Sequence, residues 1–145
     1  MFPSNYTVDM LNAAGKDTLV AHLGIEIMEI GVDFILAKMP VDHRTVQPMG
    51  LLHGGASVVL SETLGSLAAS LLIDKSIEFP VGLEINANHI KSVKSGCVYG
   101  KASPIHVGRS TQIWQTEIRN EAGKLVCISK LTVAIIKKDN GSANH

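Results

Sequence analysis

Apolar and polar residues alternate with period two through much of the second half of the chain. "VGLEINANHI" (81–90), "CVYGKASPIHV" (97–107), "TQIWQTEI" (111–118) and "LVCISKLTVAII" (125–136) each predict a long strand with one face turned to a core. Ser95-Gly96, Gly108-Arg109 and Asn120-Glu121-Ala122-Gly123 supply the turns between them. Earlier in the chain, "IEIMEI" and "FILAKMPV" flank Gly31-Val32-Asp33 and predict a hairpin. Residues 7–22 carry helical patterns. "TVDMLNAAG" stops at Gly15, and "DTLVAHLG" opens on Asp17 as N-cap and stops at Gly24. A polar loop, "DHRTVQPMG", is broken by Pro48 and Gly50. A helix then runs from the pair Gly54-Gly55 to about Ile73.

The order is hairpin, long helix, then long antiparallel strands. One amphipathic helix covers six strands only if the sheet curls around it. The expected architecture is therefore α+β, a curved antiparallel sheet of about six strands wrapped on one central helix. At 145 residues the chain reads as one domain, 1–145, with a helical segment over 1–23 and a polar, frayed tail over 138–145.

The central helix has an unusual outer face. At roughly 100° per residue, Ala56, Leu60, Leu64, Leu67 and Leu71 form the stripe expected to lie on the sheet. Glu62 falls opposite, among Val58, Val59, Gly65, Ser66 and Ala69, and is the one charged residue between Ala56 and Ile73. Such a face is expected to meet a second subunit rather than bulk water. A carboxylate withdrawn from water has a raised pKa and makes a better base or nucleophile. At the helix start, the first amides have no intrahelical acceptor and glycine lets a ligand approach them. Gly54-Gly55 is thus either a tight turn or an oxyanion site. With Gln47 and His53 in the entering loop, the outline is that of an acyl-transfer site.

Charge and cysteine content narrow the classes. Thirteen basic residues balance thirteen acidic ones, which argues against a general nucleic-acid binder. Cys97 and Cys127 are far apart and form no CxxC pair, so free thiols are expected. The start "MFPSNYTVDM" lacks a secretion pattern and the longest apolar run carries Glu62, so a cytoplasmic protein without a membrane span is expected. Six histidines show no HExxH spacing, and no metal is expected. Lys91, Lys94 and Arg109 are candidate cations for phosphate groups.

"VDHRTVQPMGLLHGGASVVLSETLGSLAA" and "VGLEINANHIKS" together resemble the hotdog-fold acyl-CoA thioesterases, in the branch with a glutamate on the central helix. The resemblance implies hydrolysis of an acyl-CoA, with an aromatic acyl group such as 1,4-dihydroxy-2-naphthoyl of the menaquinone route, or of a carrier-protein thioester. It implies that Glu62 is the catalytic carboxylate, as nucleophile or general base, and that the Gly55 amide binds the thioester oxygen. Gln47 and His53 would position substrate or water, and Ser66 would lie near the acyl pocket. Gly82 and the run His89, Ile90, Lys91, Ser92 would line the substrate site. His106, Val107, Gly108, Arg109, Ser110 and Thr111 would meet the coenzyme A part. The resemblance further implies no cofactor beyond the coenzyme A of the substrate. It also implies a tetramer built as a dimer of dimers, with active sites at the subunit interface. Two rivals on the same scaffold are weaker. A hydratase needs a DxNxxH pattern that Asp42-His43 does not provide, and an acyl-CoA sensor usually carries a DNA-binding segment for which this chain has no room.

Overall fold

The computed structural model describes residues 1–139. Two short helices, α1 (Val8–Ala14) and α2 (Leu19–His22), precede the hairpin β1 (Glu26–Ile30) and β2 (Ile35–Pro40). The long helix α3 (Gly54–Leu71) follows, then β3 (Glu78–His89), β4 (Cys97–Val107), β5 (Thr111–Asn120) and β6 (Leu125–Lys137). All six strands join one antiparallel sheet in the order β1-β2-β4-β5-β6-β3. Helix α3 touches five of the six strands, β2 to β6, so the sheet curls around it as the alternating pattern requires. This is the hotdog architecture.

Packing explains the curl. Leu60 and Leu64 are fully buried against Gly100 of β4, whose absent side chain lets the helix sit close. A β-carbon at Gly100 would lie 3.0 Å from both leucines. Gly65 faces Leu131 and Trp114 in the same way. The buried arc of α3 is therefore wider than the leucine stripe and rotated from it. Gly65 and Ala69, expected on the outer face, lie against the sheet, while Leu67 is only half-buried. Curvature is the reason, since a flat sheet would cover one stripe and a wrapped one covers more than half the helix circumference.

Smaller corrections concern element ends. Thr18, not Asp17, caps α2, its hydroxyl accepting from Val20 N–H at 3.2 Å, and Asp17 takes a left-handed φ of 60° in the turn before it. Helix α3 stops at Leu71, two residues before Ile73. Strand β3 begins at Glu78, so Pro80 lies inside it. That is tolerated because β3 is an edge strand, paired only with β6. A register irregularity between Gly82 and Glu84 bulges Leu83 outward. At the expected tail, Lys138 N–H donates to Ile77 O at 2.7 Å, which extends the ordered edge by one residue. Residues 140–145, including His145, lie outside the described part. Cys97 and Cys127 are separate thiols, and burial raises the pKa of the second. No helix among the described residues is long and apolar enough to cross a membrane.

Candidate active site

The loop into α3 is held by its own backbone and side chains. The Asp42 carboxylate accepts from Arg44 Nε at 3.0 Å and Nη2 at 2.7 Å, and that guanidinium lowers its pKa to about 2. The buried Thr45 donates its hydroxyl to Pro40 O at 2.7 Å, and His53 N–H donates to Thr45 O at 2.9 Å. Gly50, with φ 80°, closes the turn that pairs Gln47 N–H with Leu51 O at 2.8 Å. Gln47 Oε1 accepts from Met49 N–H. That leaves the Nε2 end of Gln47 to reach for a ligand.

His53 is the N-cap of α3. Its Nδ1 accepts the Gly55 N–H at 2.7 Å, so the neutral ring carries its proton on Nε2. The amide expected to meet a thioester oxygen is thus held by the cap, and a ligand oxygen there must share or displace the imidazole. Gly54, one residue earlier, faces a cleft of about 350 Å³. A β-carbon on Gly54 would stand 2.9 Å from His89 Nε2, so glycine here lets the imidazole lie directly on the helix tip. Gln47, His89, Ile90, Lys91 and Ser92 share this cleft, as the resemblance implies. Ser57, buried in the first turn of α3, joins them and went unnoticed in the sequence. Its signal was a small hydroxyl two residues after the glycine pair, still in the first turn, where a side chain points toward the helix N-terminus.

Glu62 does not line that cleft. Its carboxylate leans over Gly82 on β3, with Oε1 2.6 Å from where a β-carbon of residue 82 would be. Removal from water raises the pKa of this half-buried carboxyl, and no cation compensates. Strand register separates the two groups. Gly82 stands level with Val133 and Gln112, whereas His89 stands level with Cys127 and Ile118, near the other end of β5. Over seven residues of strand, Gly82 and His89 stand roughly 20 Å apart, and along α3 Glu62 lies about 12 Å beyond Gly54. The turn of His106, Val107, Gly108, Arg109, Ser110 and Thr111 joins β4 to β5 at the Gly82 level, and Arg109 is exposed there. Ser66 lines a separate cavity beside the N-terminal helices. Within one chain, therefore, oxyanion donors and cleft sit at one end of β3, and the carboxylate stands over its middle, at the level of the basic turn. No group of three His, Cys, Asp or Glu side chains among the described residues is arranged to hold a metal.

Residues 49–127, the span from the loop through α3 into β6, match the model of the Thioesterase superfamily. The chain belongs to this superfamily. A 1,4-dihydroxy-2-naphthoyl-CoA hydrolase from Escherichia coli is 51% identical over 90% of this chain and 95% of its own. The proofreading thioesterase EntH of Cronobacter turicensis is 48% identical over 90% of this chain and 94% of its own. Among solved structures, a thioesterase from Haemophilus influenzae superposes with a TM-score of 0.92 at 48% identity, covering 97% of this chain and 99% of that one. This superfamily member is a thioester hydrolase with the hotdog fold, and the chemistry its residues offer agrees. A desolvated carboxylate can attack or activate water, and helix-tip amides can hold an oxygen that becomes negative.

Proposed function

We propose that the protein hydrolyses a hydroxylated aryl-CoA, with 1,4-dihydroxy-2-naphthoyl-CoA as the leading substrate, to the free acid and coenzyme A. The observation that carries this reading is Glu62. It is desolvated and stands on an otherwise uncharged helix face, with room kept for it by Gly82. Either Glu62 attacks the thioester carbon, expelling the thiolate and leaving a mixed anhydride that water opens, or it takes a proton from the attacking water. A single turnover in ¹⁸O-water separates the two, because the anhydride route can place the label in the protein. The carboxylate route needs no cofactor beyond the coenzyme A of the substrate. A cytoplasmic location, where acyl-CoA substrates are met, belongs to the same proposal.

The reading includes a shared site. Strand β3 has an unpaired edge that exposes Phe79, Val81 and Leu83. A two-fold antiparallel pairing of β3 with its copy sets the Gly82 end of one chain beside the His89 end of the other. Glu62 of the partner subunit then faces the Gly54 cleft, and the Arg109 turn stands near Lys91. Two such dimers make the tetramer.

Thiol release from hydroxynaphthoyl, 4-hydroxybenzoyl and butyryl esters of coenzyme A, and from an aryl carrier protein, tests the substrate. Faster turnover of the carrier-bound ester would replace the CoA reading. Mixing Glu62→Ala with His89→Ala subunits tests the sharing. Activity should return on mixing, because one site per mixed dimer then holds both groups, and no recovery would refute it.

A further inference from the structure

Helix α3 turns three buried small residues toward β5 and β6 at one-turn intervals, namely Ser57, Ser61 and Gly65. The surroundings at each end of this row fix its level on the sheet. A β-carbon on Gly65 would meet Leu131 of β6 and, at 3.5 Å, the β-carbon of Trp114 of β5. Ser57 shares the Gly54 cleft with Val126 of β6 and His89 of β3. Ser61 lies midway between the two. Midway between Val126 and Leu131, the buried residue of β6 is Ser129, which stands level with Thr116 of β5. Ser61 therefore comes over the Thr116–Ser129 pair, and three hydroxyls gather beneath the helix. Ser61 is 1% exposed, Thr116 2% and Ser129 3%.

These hydroxyls do not satisfy one another. Ser61 Oγ has no hydrogen-bond partner among the described residues. Nor does it take the local option of Ser70, whose hydroxyl donates to Leu67 O at 2.7 Å. A buried hydroxyl left unpaired is destabilising, and a water with two to four polar neighbours relieves it. Ser61, Thr116 and Ser129 offer three. Residues four apart on a helix hold their β-carbons about 5–6 Å apart, and a water making two hydrogen bonds of about 2.8 Å spans such a gap. Water at Ser61 is thus one step from Ser57, which faces the cleft beside Gly54.

We propose that this seam beneath α3 binds water and that thioester hydrolysis draws its water from it. The proposal rests on the hydrolysis taking place at the Gly54 cleft. Both routes for Glu62 consume one water, whose oxygen ends in the acid and one of whose hydrogens ends on the thiol. An acyl-CoA that fills a cleft of about 350 Å³ displaces the water standing there. The seam enters from the protein side, where the substrate does not reach.

Two variants test the proposal. Ser61→Ala is read by thermal unfolding. If Ser61 shares a water with Thr116 and Ser129, its midpoint should fall by about 3–6 °C. Thr116→Val should lower the midpoint too, and the double variant should lose less than the sum, because both hydroxyls bind one water. A hydroxyl that binds nothing would give the opposite sign, since its removal relieves a buried polar group. Ser61→Val closes the seam with methyl groups and is read by thiol release from 1,4-dihydroxy-2-naphthoyl-CoA. It should lower kcat by about tenfold with KM within twofold of wild type. Either a raised midpoint in Ser61→Ala or an unchanged kcat in Ser61→Val would overturn the proposal. A wild-type protein that releases no thiol from any acyl-CoA would instead overturn the thioesterase reading beneath it.

Discussion

Gly82→Ala offers a test of the catalytic carboxylate that leaves the carboxylate in place. The added methyl carbon would lie 2.6 Å from Glu62 Oε1, whereas ordinary van der Waals contact begins near 3.4 Å. The carboxylate must therefore retreat by about 0.8 Å. Folding should hardly notice, because the obstructed atom is the free end of a flexible side chain and Gly82 does not use a left-handed φ. Replacing glycine by alanine within a strand also lowers the entropy of the unfolded chain, worth about 0.4–1 kcal/mol in favour of the fold. Catalysis should notice, since misplacing a reacting group by about 1 Å can lower the rate by roughly 10²-fold. Gly82→Ala should therefore reduce kcat in a thiol-release assay by about 10- to 100-fold while the thermal midpoint stays level or rises. A variant with kcat within twofold of wild type, in a background where Glu62→Ala is inactive, would refute the claim that Gly82 keeps room for the carboxylate.

Other outcomes follow from the same contacts. Glu62→Gln should lower kcat by about 10²–10⁴-fold, as expected for loss of a catalytic base. It should also stabilise the fold at pH 7. The folded-state pKa of Glu62 is raised above 4.5, so ionisation weighs on the folded state as pH rises through that raised value. Below pH 4.5 the protonated acid resembles glutamine and the difference should vanish, which urea midpoints at pH 7 and pH 4 will read. Gly100→Ala should cost about 1–3 kcal/mol, because its β-carbon meets both Leu60 and Leu64 at 3.0 Å. Leu64→Ala should cost about 2–5 kcal/mol alone, and the double variant should lose less than the sum, as measured by a denaturant double-mutant cycle. Val81→Asp, on the exposed edge of β3, should lower both the oligomeric mass by light scattering and the specific activity. A stable assembly with full activity would argue against pairing through that edge.

Much of this molecule is legible from local chemistry. Period-two alternation marked β4 end to end, and it marked β5 and β6 to within two residues, because each strand has one face on α3. The lone Glu62 on an uncharged helix face and the glycine pair at its tip are also local facts. Asp17 misled because cap preference does not say which of two neighbouring polar residues takes the extended conformation. Backbone geometry gave that place to Thr18.

What the chain by itself determined is therefore the set of elements, the kind of chemistry and the residue types available for it. What only the tertiary structure decided is how those residues are shared out. Gly54 rather than Gly55 faces the cleft, His53 folds back onto the Gly55 amide, Leu67 turns from the sheet toward the N-terminal helices, and Glu62 stands over Gly82, seven residues along β3 from His89. Each of these depends on sheet curvature and strand register. Both arise from packing between residues distant in sequence, which a periodicity along the chain does not record.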